Sequence, residues 1–96
     1  MEFLVQISLE VPPGTAQEEV DDRVRAEAVR AAELADLGHL QRLWRPEGPG
    51  WRNIGLWQAD DPGQLHELLA SLPLHPWMTI EVRALGPHPN DPGAGA

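Results

Sequence analysis

Glu27 is the residue whose position stands out first. It lies in a stretch, residues 16–37, whose apolar spacing predicts a helix. Taking Val20 as zero and roughly 100° per residue, Ala31 falls near 20°, Val24 near 40°, Ala35 near 60° and Leu34 near 320°. Glu27 falls near 340°, inside the apolar stripe, where the pattern asks for Leu or Ala. The other acids of this stretch, among them Glu18, Glu19, Asp21 and Asp22, gather at its start or on other faces. Burying a carboxylate without compensation costs several kcal/mol. Two readings are open. Glu27 pairs with a nearby Arg or reaches solvent, or it lines a cavity as an acid–base group. In the second case partial desolvation raises its pKa toward the range useful for proton transfer near neutral pH.

Other residues offer weaker chemistry. Arg45 follows Trp44 and is either a solvated strand residue or an anion clamp at a pocket rim. Asn53 lies between Trp51 and Gly55 on one strand face, where a buried amide must find partners in the protein or in a ligand. His39, His66, His75 and His88 lack ligand spacing, so no metal site is expected. There is no nucleophile elbow, phosphate loop or dinucleotide fingerprint.

The elements that position these residues are readable from period and punctuation. Phe3, Val5, Ile7, Leu9 and Val11 alternate with more polar positions, which predicts a strand with one apolar face. Pro12-Pro13-Gly14 ends it, Thr15 is the expected N-cap of the first helix, and Gly38 its stop. Residues 39–45 and 51–58 predict a hairpin around Pro46–Gly50. Asp60-Asp61 caps a second helix, 62–71, and residues 78–85 form a last strand. The order β-α-β-β-α-β predicts an α+β, ferredoxin-like fold, an antiparallel sheet with two helices on one face. Large apolar side chains on the uncovered face would mark an interface or a pocket, and four Trp in 96 residues supply candidates. Two such sheets face to face would make a dimeric α+β barrel.

Composition bounds the rest. A chain of 96 residues is one domain, here 1–86 with a Pro/Gly-rich tail at 87–96 that is either disordered or laid across a neighbouring subunit. A domain of this size buries only about 60–65% of its unfolded surface, which favours an oligomer. A net charge of −8 argues against nucleic acid. No apolar run approaches a membrane span, and the absence of cysteine and of a signal pattern points to the cytoplasm.

The segment LPLHPWMTIEV, Leu72 to Val82, resembles the LPLFPYMDIEV signature of muconolactone Δ-isomerases. Leu43-Trp44-Arg45, Leu65-His66-Glu67, His88-Pro89 and the first strand with Phe3, Val5 and Pro12 extend the resemblance to about residue 90, with one extra residue in the hairpin turn. The resemblance implies a cofactor-free enzyme of aromatic catabolism, a homo-oligomer built from dimers, that isomerises muconolactone to the 3-oxoadipate enol-lactone. It implies a catalytic Glu at Glu27 and leaves Arg45 for the substrate carboxylate. Asn53, His75 or a Trp indole N–H would serve the lactone carbonyl, and Trp44 and Trp51 would line the site. The chain departs from the family at Val24, where the family has Lys, and at Ile54, His75, Trp77 and Thr79. Such changes implicate a different enolisable lactone or ketone. The alternatives are a cofactor-independent monooxygenase or cyclase on an aromatic polyketide, and a non-catalytic ligand-binding module.

Overall fold

The alternation of the first strand becomes a two-faced sheet. In the computed structural model, which describes residues 1–93, strand β1 (Glu2–Leu9) buries Phe3, Val5, Ile7 and Leu9 and turns Leu4, Gln6 and Ser8 the other way. Helix α1 (Gln17–Asp36), strands β2 (Leu40–Trp44) and β3 (Trp51–Gln58), helix α2 (Pro62–Ala70), a 3-10 turn (His75–Trp77) and strand β4 (Met78–Leu85) follow. The sheet order is β2-β3-β1-β4, with every neighbouring pair antiparallel. Leu34 of α1 and Leu65 and Leu69 of α2 join Phe3, Val5 and Trp57 in one core, so both helices cover the Phe3 face. This is the expected ferredoxin-like arrangement, and among the described residues no helix covers the opposite face of the sheet.

Local chemistry explains the helix ends, with one correction. Thr15 does not cap α1. Its hydroxyl donates to the Pro12 carbonyl at 2.7 Å, which closes the Pro-Pro-Gly turn, and Ala16 takes the N-cap position without a side-chain bond. At the other end Gly38, at φ +84°, lets the chain reverse. Its N–H reaches the Ala35 carbonyl and the His39 N–H reaches Leu34, the Schellman pattern. At α2 the Asp61 carboxylate accepts the Gln64 N–H at 2.7 Å, while the Gln64 side chain accepts the Asp60 N–H.

The tryptophans are distributed differently from the expectation of a Trp-lined open face. Trp57 pairs with Phe3 and Trp51 with Leu9, and directly opposed residues share a face, so both point at the helices. Trp77 is buried in the 3-10 turn. Among the four, Trp44 alone is on the open face: it pairs with Ile54, is 42% exposed and carries the Arg42 guanidinium 4.9 Å from its ring centroid.

Candidate active site

The site begins with what the apolar stripe of α1 packs against. Three side chains on that helix hold the segment linking α2 to β4. Arg23 donates to the Pro73 carbonyl at 2.9 Å and stacks over the Trp77 ring at 5.0 Å. Glu27, one turn on, accepts the Leu74 N–H at 3.0 Å. Arg30 donates to the Ser71 hydroxyl at 3.1 Å. The spacing of 23, 27 and 30 puts them on one helix face. The 3-10 turn they hold closes through His75 N–H to Leu72 and Trp77 N–H to Leu74.

Glu27 is half-buried, and burial pushes its pKa above the usual carboxylate value. The Leu74 N–H opposes that rise but does not cancel it. No arginine among the described residues lies within ion-pairing distance of Glu27; Arg23 contacts Glu19 and Arg30 contacts Glu33. Of the readings left open, the ion pair is not formed among the described residues, and a partly desolvated carboxylate is left with one backbone partner, in the link between α2 and β4. That arrangement suits a group that takes a proton from carbon and returns it.

The other sequence-predicted residues fall in several places. Trp51 and Asn53 are half-buried on the helix side of β3, the side α1 covers. His75, in the 3-10 turn, lines a groove of about 450 Å³ between α2 and β4, with His66, Leu69 and Ile80. Arg45 is exposed just past the end of β2, and Trp44 lies on the opposite face of the sheet. Trp51 and Asn53 are therefore on the side of the sheet that carries the helices, and Trp44 is not. Val24, where the family resemblance calls for Lys, is 42% exposed.

Sequence reasoning missed Arg23, whose role depends on a segment fifty residues away. It offered a Trp indole N–H as a donor without singling out Trp57. This residue is 2% exposed, and its indole nitrogen is buried without a hydrogen-bond partner among the described residues. An unpaired buried N–H costs about 1–3 kcal/mol. The available signal was Gly55, a glycine inside a strand two residues away on the same face.

A family model described as muconolactone delta-isomerase matches residues 1–91. The chain belongs to the muconolactone Δ-isomerase family. The muconolactone Δ-isomerase of Acinetobacter baylyi is 31% identical over 90 residues, covering 94% of this chain and 93% of the relative. Muconolactone Δ-isomerase 2 of Acinetobacter lwoffii is 33% identical over 88 residues, 92% of this chain and 91% of that one. A crystal structure of muconolactone isomerase superposes with a TM-score of 0.86 at 30% identity, over 95% of this chain and 94% of that chain. The 5-chloro-2-hydroxyhydroquinone dehydrochlorinase of Burkholderia phenoliruptrix shares the fold alone, with a TM-score of 0.67 at 16% identity over 90% of this chain and 94% of that one. Muconolactone Δ-isomerase family membership thus extends over nearly the whole chain, not just the Leu72–Val82 signature. No helix of the described residues is long and apolar enough to cross a membrane.

Proposed function

We propose that this chain is an isomerase that moves a proton within an unsaturated γ-lactone, muconolactone or a close relative, with Glu27 as the acid–base. The observation that carries the reading is a half-buried carboxylate, raised in pKa and with no ion pair among the described residues, on the apolar stripe of α1 in a chain of this family. The reaction needs one such group. The Glu27 carboxylate takes the proton from the γ-carbon, and the C–H electron pair passes through the ring double bond onto the carbonyl oxygen. The resulting dienolate collapses as protonated Glu27 returns the proton to the α-carbon. The double bond has then moved by one position, and no proton is gained or lost overall. A donor at the carbonyl oxygen stabilises the dienolate. Asn53 and Trp51 share the helix side of β3 with that space, and Asn53 is the polar group proposed to contact the lactone there. Arg45 is the cation proposed for an anionic substituent. His75 would contact the ligand from the side of the neighbouring groove.

The same reading includes a homo-oligomer built from dimers, working in the cytoplasm. The open sheet face, with Trp44 and the half-buried Leu4, Ile54 and Leu56, is the surface proposed to meet a second copy.

Glu27→Gln tests the chemistry without removing the structural contact, because the amide oxygen still accepts the Leu74 N–H. Turnover of muconolactone, followed by the change in ultraviolet absorbance as the double bond moves, should fall by about 10²–10⁴-fold. The circular dichroism and the melting transition should persist. A folded Gln variant that still turns over at the wild-type rate would sink the assignment.

A further inference from the structure

Trp57 carries chemistry that its place in the core does not need. Its core companions are Phe3, Leu34, Ala59 and other apolar side chains, which ask only for apolar volume and not for a hydrogen-bond donor. The indole adds one polar atom, Nε1, and that atom is buried with no acceptor among the described residues. Native proteins seldom leave such a donor unpaired, and a ligand is one of the accepted explanations. A second irregularity lies beside it. Gly55 is buried in the interior of β3, at a position where glycine weakens a strand. A Cβ placed on Gly55 would stand 2.7 Å from Trp57 Nε1, so any side chain there displaces the indole. The third neighbour is Leu43, which pairs with Gly55 across the β2–β3 ladder. Its Cδ1 lies 3.4 Å from that Cβ position, yet the residue is 52% exposed. An exposed leucine side chain changes rotamer readily, so Leu43 can uncover the N–H with no movement of the backbone.

We infer that the Trp57 indole N–H, in the gap kept by Gly55 and shielded by Leu43, is a hydrogen-bond donor to the carbonyl oxygen of the bound lactone. This rests on the proposed lactone isomerisation, and it adds the group that holds the developing negative charge. The donor lies on the helix side of β3, and Trp57 shares its core with Leu34, two turns beyond Glu27 on the same stripe of α1. The base on α1 and the donor on β3 thus belong to the two layers that the core joins. The glycine and the unpaired nitrogen, separately unfavourable, have one common use: an oxygen acceptor can approach the indole edge.

The test uses the full chain and muconolactone. Trp57→Phe keeps the ring and deletes the donor. Its kcat/KM should fall on the order of 100-fold, the loss typical of one oxyanion donor, with the circular dichroism unchanged. Gly55→Ala should reduce kcat/KM as well while leaving the indole N–H in the molecule. In the Glu27→Gln background, which stops turnover, added muconolactone should move the Trp57 indole N–H resonance downfield in a ¹⁵N-correlated spectrum; the Trp57→Phe spectrum assigns that peak. An active wild type with an equally active Trp57→Phe variant overturns this inference and leaves the proposed function standing. A wild type that neither binds nor turns over the lactone overturns the proposed function, and this inference with it.

Discussion

A carboxylate that loses water on folding becomes a better proton carrier and a worse structural residue. At Glu27 desolvation raises the pKa and the Leu74 N–H only partly restores it. The native state therefore binds this proton more tightly than the unfolded chain does. Between the ordinary carboxylate value and the raised one, the stability contribution of Glu27 falls as pH rises, and above the raised value the full cost of the buried charge is present. Glu27→Gln removes that dependence. Denaturant titrations of both proteins across the acid range should show the difference shifting in favour of the variant, beginning near the usual carboxylate pKa. A gap independent of pH would mean that Glu27 titrates in the fold as it does in the free chain. In the proposed mechanism the same raised pKa sets the acid limb of the rate profile, since the base must be ionised to take the first proton.

The functional unit at the next scale is α1 together with the 3-10 turn. Arg23 fastens the turn at Pro73 and Trp77, and the turn presents the Leu74 N–H to Glu27. Arg23 thus acts on the carboxylate through the backbone of another segment, as a positioning residue. Arg23→Met keeps most of the aliphatic stem and loses both the hydrogen bond and the cation–π contact. It should cost about 1–2 kcal/mol of stability in denaturant titrations. Loosening the turn weakens the Leu74 hydrogen bond, which is the influence that holds the Glu27 pKa down. The acid limb of kcat/KM should therefore move to higher pH, an effect that a role confined to packing would not produce. Elsewhere the elements end for local reasons, the Asp61 cap and the Gly38 reversal being the clearest.

For the molecule as a whole, the open sheet face remains to be covered. A small antiparallel sheet with helices on one side leaves the other to solvent or to a partner. Trp44 stands on that face beside Arg42, near Ile54. Trp44→Glu places a charge in the proposed contact and leaves the core of the chain untouched. Sedimentation velocity should show the wild type as an oligomer and the variant shifted toward monomer, with circular dichroism unchanged. An unshifted oligomer would place the contact elsewhere on the surface.

Much of this protein was legible in its residues because the signals are local. The alternation of β1, the Gly38 stop, the Asp61 cap and the β-α-β-β-α-β order depend on neighbours within a turn or a strand, and the structure reproduces them. Glu27 was legible too, since a period of 3.6 places it on the apolar stripe whatever that stripe meets. Thr15 shows the limit even locally: a turn carbonyl and a helix N–H compete for one hydroxyl, and Pro12 wins. A period of two reveals that Trp51, Asn53, Gly55 and Trp57 share a face of β3, but it cannot say which face. The pairing of Trp57 with Phe3 and of Gly55 with Val5 decides that, because register joins residues some fifty positions apart. The same long-range packing placed Leu74 against Glu27 and left the Trp57 nitrogen without a partner among the described residues, beside Gly55. The sequence determined that Glu27 sits on the apolar stripe of α1 and that Trp51, Asn53, Gly55 and Trp57 share a face of β3; only the tertiary structure decided what each one faces, since burial and hydrogen bonding belong to contacts made across the chain.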